Sequence, residues 1–146
     1  MKLLPYFVVV LIATSLFSCK KDSTKKEDTK DCSLTEANFA GTYKIGTVKY
    51  KATASAPAID ATSMTDACSL DDLETFKSDH TLVYTDAGVK CDPAGDGTTT
   101  WSLNGKSLRA GSDSATVTAF DCTQFTISQP DFVVDGDSLI VTFQKQ

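Results

Sequence analysis

The sequence predicts an all-β fold, a small antiparallel barrel or sandwich carried by residues 32–146. Three observations predict it. From Phe39 onward, apolar and polar residues alternate with period two in runs rich in Thr, Val and aromatics, the pattern of half-buried strands. Short breaks containing Asp, Asn and Gly separate those runs, as hairpin turns require. Four cysteines, Cys32, Cys68, Cys91 and Cys122, form an even set suited to stapling a small exported domain.

Taken in order, the 146-residue chain begins with an early positive charge, Lys2, and an apolar stretch from Leu3 to Phe17 that ends in Ser18-Cys19. A positive start, a short apolar core and a small residue before a cleavage point describe an export signal, here residues 1–18. The stretch is shorter than the ~20 residues that span a bilayer, which disfavours a permanent helical anchor. The plain alternatives are an ordinary signal with a chance cysteine, or a buried N-terminal helix. Leu16-Phe17-Ser18-Cys19 resembles a lipobox, the site cut by lipoprotein signal peptidase, with Phe17 bulkier than the usual residue at its place. That resemblance implies a diacylglyceryl group on the Cys19 thiol and an acyl chain on its freed amine, so that the membrane becomes a partner through a lipid anchor. Residues 19–31 then hold no apolar residue after Cys19 and read as a flexible tether. Ser18-Cys19-Lys20-Lys21-Asp22 is similar to the start of lipoproteins of Bacteroidota-type Gram-negative bacteria. No Asp directly follows the cysteine, which by that resemblance implies the outer membrane, at either face.

Residues 32–146 suffice for one core at most. They carry 8 Lys/Arg against 15 Asp/Glu, a formal net charge of −7. Nucleic acid, which demands clustered cations, is excluded as a partner on that balance, and so is a folded face lying on anionic lipid. The four cysteines allow three disulfide pairings. Cys68 and Cys91 are nearest in sequence and flank an expected hairpin, so Cys68–Cys91 with Cys32–Cys122 is the favoured set. Zinc is the competing use of four cysteines, but no pair has the close ligand spacing of such sites. No metal and no cofactor is therefore expected.

The strands follow. In the run Gly41 to Tyr50, Tyr43 and Ile45 share a face with Lys44 opposite. Leu82 and Tyr84 share one side of the next clear run, Trp101 and Leu103 one side of another. Ala115, Val117 and Ala119 alternate with Thr116, Thr118 and Phe120; Phe125 and Ile127 alternate with Thr126 and Ser128; Leu139, Val141 and Phe143 alternate with Ile140, Thr142 and Gln144. Turns are expected at Ser78-Asp79-His80, Asn104-Gly105-Lys106, Gly111-Ser112-Asp113 and Asp135-Gly136-Asp137. The one candidate helical turn is Ala67 to Glu74, with Asp71 and Asp72 as candidates for capping its positive end. The segment from Ala52 to Thr65 has no clear period and reads as a loop, or a lid.

Several of these segments together resemble a lipocalin-like domain. Phe39-Ala40-Gly41-Thr42-Tyr43-Lys44-Ile45 is similar to that family's opening Gly-Thr-Trp strand, with Tyr43 in place of Trp. Cys68-Ser69-Leu70-Asp71-Asp72 is similar to its Cys-x-x-Asp-Asp segment, and Cys91 stands where the partner cysteine often lies. Gly97 to Leu108 resembles a second Gly-Thr-Trp strand and turn with two residues inserted before Trp101, and Ser138 to Lys145 resembles the closing strand. The resemblance implies an up-and-down β-barrel of about eight strands with an interior that holds a pocket. The extra pair Cys32 and Cys122 departs from the family pattern.

Catalytic chemistry finds little support. No Gly-x-Ser-x-Gly elbow is present, and the sole imidazole, His80, falls in a polar turn where a solvated surface role is the simpler reading. The acidic turns Asp92 to Gly97 and Asp135 to Asp137 lack the ordered ligand spacing of a calcium loop. Five aromatics, Tyr43, Tyr84, Trp101, Phe125 and Phe143, fall on faces expected to point inward. They either line a pocket for a small hydrophobic ligand or fill a solid barrel. The first reading makes the protein an envelope binding module and the second an envelope protein–protein interaction module. Neither is an enzyme.

Overall fold

In the computed structural model, which describes residues 31–146, two short helices and nine strands follow one another. They are α1 (Glu36–Phe39), β1 (Gly41–Lys51), β2 (Ile59–Asp60), α2 (Ala67–Leu70), β3 (Leu73–Phe76), β4 (Thr81–Thr85), β5 (Gly97–Asn104), β6 (Ser107–Ala110), β7 (Asp113–Phe120), β8 (Gln124–Pro130) and β9 (Ser138–Lys145). The expected signal, the lipidated Cys19 and the tether up to Lys30 lie outside the described residues. No described helix is long and apolar enough to cross a membrane.

Every strand from β3 to β9 pairs antiparallel with its neighbour in sequence. β1 pairs with β3 over Gly41–Lys44 and with β9 from Tyr43 to Lys51, which closes the sheet into a ring. β2 is a two-residue addition at the far end of β1, opposite Lys49 and Tyr50. The ring itself therefore has eight strands in up-and-down order.

Two bulges decide which residues face inward. One between Ile45 and Thr47 keeps Ile45, Val48 and Tyr50 on the inner face of β1. The other, between Val117 and Ala119, corrects the simple alternation expected for β7: Ala119 turns outward and is exposed, while Phe120 packs against the core. One extra residue on a strand inverts every side chain beyond it.

The expected turns are present between β3 and β4, β5 and β6, β6 and β7, and β8 and β9. Gly105 and Gly111 adopt positive φ in the two tightest of them, where a side chain is strained. The β7–β8 turn, not anticipated, is organised by Asp121, whose carboxylate accepts from the amides of Thr123 and Gln124.

One end of the barrel is plugged. α1 starts at an N-cap, Thr35, whose hydroxyl accepts from the Asn38 amide, and delivers Phe39 into the barrel. Phe39 is fully buried, with ring centroids of Phe125 at 4.6 Å, Phe76 at 5.0 Å and Trp101 at 5.7 Å. Burying such a side chain contributes about 2–3 kcal/mol. Lys145 closes over the helix, its Nζ donating to the carbonyls of Asn38 and Ala40. Cys32–Cys122 ties the segment before α1 to the β7–β8 turn at this same end. Cys68–Cys91 links α2 to the loop between β4 and β5.

Candidate functional site

The end of the barrel opposite Phe39 holds the candidate site. The register places one inward row of Tyr43, Glu74 and Tyr84, from β1, β3 and β4. Another runs along β8 and β9, where Phe125 faces Phe143, Ile127 faces Val141 and Gln129 faces Leu139. Between these walls lie two adjoining cavities. The smaller, about 150 Å³, is lined by Phe76, Tyr84, Leu108, Phe125, Ile127 and Phe143, with Glu74, Asp113, Ser114 and Gln129 as its polar groups. The larger, about 570 Å³, is lined by Ile45, Val48, Tyr50, Ala61, Leu139 and Val141, with Ile59, Met64 and Phe132 at its rim. Because Ile127 opposes Val141 and Phe143 opposes Ile45, the two cavities share one inner wall.

Two segments cover the larger cavity. The Ala52–Thr65 segment, expected to be a loop or a lid, contains β2 and a 3₁₀ turn at Thr62–Met64, and its Ala61 amide donates to the Val48 carbonyl. The second cover is the β8–β9 connection, residues 131–137. Its keystone is Asp137, 2% exposed, whose carboxylate accepts from the Tyr50 hydroxyl and from the amides of Phe132, Val133 and Val134. Burial works against the charge of Asp137, and these donors outweigh it and hold the carboxyl below its ordinary range. The side chains of Phe132, Val133 and Val134 stay exposed beside the mouth.

The smaller cavity is electrostatically distinct. Glu74 sits among aromatic and aliphatic side chains, and burial, followed by the neighbouring charge of Asp72, pushes its carboxyl up to about 7. Burial, Glu74 and Asp113 likewise raise the Tyr84 phenol. Tyr43 is pushed up to about 12 by burial alone, and its hydroxyl donates to the Phe39 carbonyl at 2.7 Å.

Of the five aromatics read as pocket residues, Tyr84, Phe125 and Phe143 line the smaller cavity. Tyr43 and Trp101 pack instead around Phe39 at the closed end. His80 lies in the β3–β4 turn with positive φ, its Nδ1 3.8 Å from Glu36 and its ring beside Trp101. Neither cavity contains it.

Asp71 and Asp72 require a correction. They stand at the C-terminal end of α2, not at its positive end, because the chain turns directly into β3 there. Their carboxylates accept from the facing loop instead, Asp71 from the Val89 amide and Asp72 from the Ala87 amide. The residue that organises this loop, Asp86, is 1% exposed and accepts from the amides of Cys91 and Gly95. Asp72, Asp86 and Cys91 lie close enough to share an ion, but the Cys91 sulfur is committed to Cys68 and offers no thiolate. Asp86 and Asp137 carried no signal beyond their place in polar loops. Glu74, read as the end of a helical turn, stands instead in β3, where its spacing of two from Phe76 puts both on one face.

The family model described as a lipocalin-like domain matches residues 39–134. The closing strand β9 lies beyond the matched segment and is assigned by its pairing with β1 and β8. No curated protein matches this chain.

Proposed function

Because this chain belongs to the lipocalin-like domain family, we propose that its barrel binds a small hydrophobic molecule in the cell envelope, where a lipid on Cys19 holds the protein to a membrane, by preference the outer membrane. The observation that carries the reading is the larger interior cavity, about 570 Å³ and walled by Ile45, Val48, Tyr50, Leu139 and Val141. A concave, mostly apolar space of this size suits a small ligand, whose burial supplies about 25 cal/mol per Å² of apolar surface. The anchor rests on the Leu16 to Cys19 motif. A second reading, docking of another envelope protein, draws on the exposed Phe132-Val133-Val134 tip.

Native mass spectrometry of the protein extracted from its own membranes separates the two. An added mass lost on denaturation is expected; a bare mass together with no uptake of an apolar dye would remove the binding reading. For the anchor, Cys19→Ala is expected to shift the protein from the membrane to the soluble fraction. Retention of that variant on membranes after a high-salt wash would rule out a lipid on Cys19.

A further inference from the structure

We infer that the occupant of this barrel is a cationic amphiphile, an alkylammonium-type molecule whose charged head sits in the smaller cavity against Glu74 and whose apolar tail runs into the larger one. The inference rests on the binding reading above and adds the chemical class of the ligand.

The two cavities divide the labour. Nothing charged lines the larger one. The smaller one is lined by two carboxylates, Glu74, half-buried among apolar side chains, and the exposed Asp113. No Lys, Arg or His lines either cavity, so the site offers no cation to a carboxylate, sulfate or phosphate head. Among the described residues no hydrogen bond or ion pair engages the Glu74 carboxylate, unlike the buried Asp86 and Asp137, which are saturated by backbone amides. An apolar occupant alone would strip water from Glu74, leaving the carboxyl to take up a proton and gain no partner. An ammonium head returns a charge-assisted hydrogen bond in a setting of low dielectric. Phe143 and Ile127 of the smaller cavity stand beside Val141 of the larger, so the apolar wall on which the tail would lie runs on from one to the other.

The groups facing Glu74 reinforce the choice. Asp72 on the same side, Asp113 at the start of β7 and the Tyr84 phenol on β4 are acidic or neutral, and Tyr43 on β1 spends its hydroxyl on Phe39. An ammonium head complements the acidic groups among them, and no cationic side chain lining the cavity opposes it. It also favours ionised Glu74, so affinity should rise from pH 6 to pH 8 while an alkylammonium stays charged, as a lysine side chain does.

The test is a calorimetric titration of the full chain with octylamine, octanol and octanoate, three probes of one tail length. Octylamine is expected to bind about tenfold or more tightly than the other two, and Glu74→Gln to remove most of its advantage over octanol. Should that variant misfold, the rise in octylamine affinity between pH 6 and pH 8 in the unaltered protein carries the same information. Equal affinities for amine and alcohol, a preference for octanoate, or an amine preference that is flat with pH and survives Glu74→Gln would overturn the cationic head and leave the apolar pocket standing. Failure of all three probes to bind would overturn the pocket reading and this inference with it.

Discussion

Glu74 faces the barrel interior from a strand whose other inward residue is Phe76, and its environment disfavours the charge it would carry in water. The folded state holds its proton from near 4.5, the ordinary value, up to about 7, whereas the unfolded chain has lost it over that window. The folded state therefore binds more protons there, and stability falls as pH rises through it. Urea unfolding should show a loss on the order of 2 kcal/mol between pH 4.5 and pH 8, after discounting for the part of the side chain that meets water. Glu74→Gln should flatten that slope and leave the protein more stable at pH 8. A slope unchanged by the substitution would assign the pH dependence to another group. Glu74 was read as the end of a helical turn, whereas the helix stops at Leu70 and Glu74 stands in β3 facing inward. Nothing in Leu73-Glu74-Thr75-Phe76 tells that Tyr84, Leu108 and Phe125 will surround the carboxylate, because those neighbours come from distant strands.

Among the elements, the strands were the most legible, since half-buried β structure writes its two faces directly into alternating residues. Leu82 with Tyr84 and Leu139 with Val141 and Phe143 share faces as that pattern requires. The bulges were not legible, because one inserted residue leaves composition unchanged while reversing parity, and Phe120 was grouped with Thr116 and Thr118 for that reason. α1 was missed because a single turn held by the Thr35 cap has no periodicity of its own. The β8–β9 connection reads as an ordinary acidic turn, yet Asp137 gathers four donors within it. Asp137→Ala should therefore loosen residues 131–137 selectively. Amide hydrogen exchange at Phe132, Val133 and Val134 should quicken about tenfold to a hundredfold, the range set by losing about 1–3 kcal/mol of hydrogen bonding. Strands β5 and β6, at the other side of the ring, should keep their rates. If the protection of 132–134 is unaffected, Asp137 does not hold the cover.

For the whole molecule, the pairing favoured from the sequence, Cys32–Cys122 with Cys68–Cys91, is present, and the two bridges differ in reach, spanning 90 and 23 residues. In the chain-entropy account, removing the longer should cost about 5 kcal/mol and the shorter about 3 kcal/mol. Paired Cys→Ser variants compared by urea midpoint would check this, and the reverse ranking would show that local packing outweighs loop closure. The eight-stranded ring was legible only through its resemblance to a family, because alternation reports that a sheet has an inside without reporting whether its edges meet. Those edges do meet, and β9, which completes the ring, follows the other described strands in sequence. For a polypeptide delivered N-terminus first, this sets a kinetic condition. β1 emerges with an unpaired margin from Tyr43 to Lys51 and must wait for residues 138–145 before that margin is satisfied. Until then it is an adhesive edge, open to capture by another nascent copy. The rate at which the eight residues of β9 arrive and dock, rather than the stability of the finished barrel, then governs how much of the protein escapes aggregation.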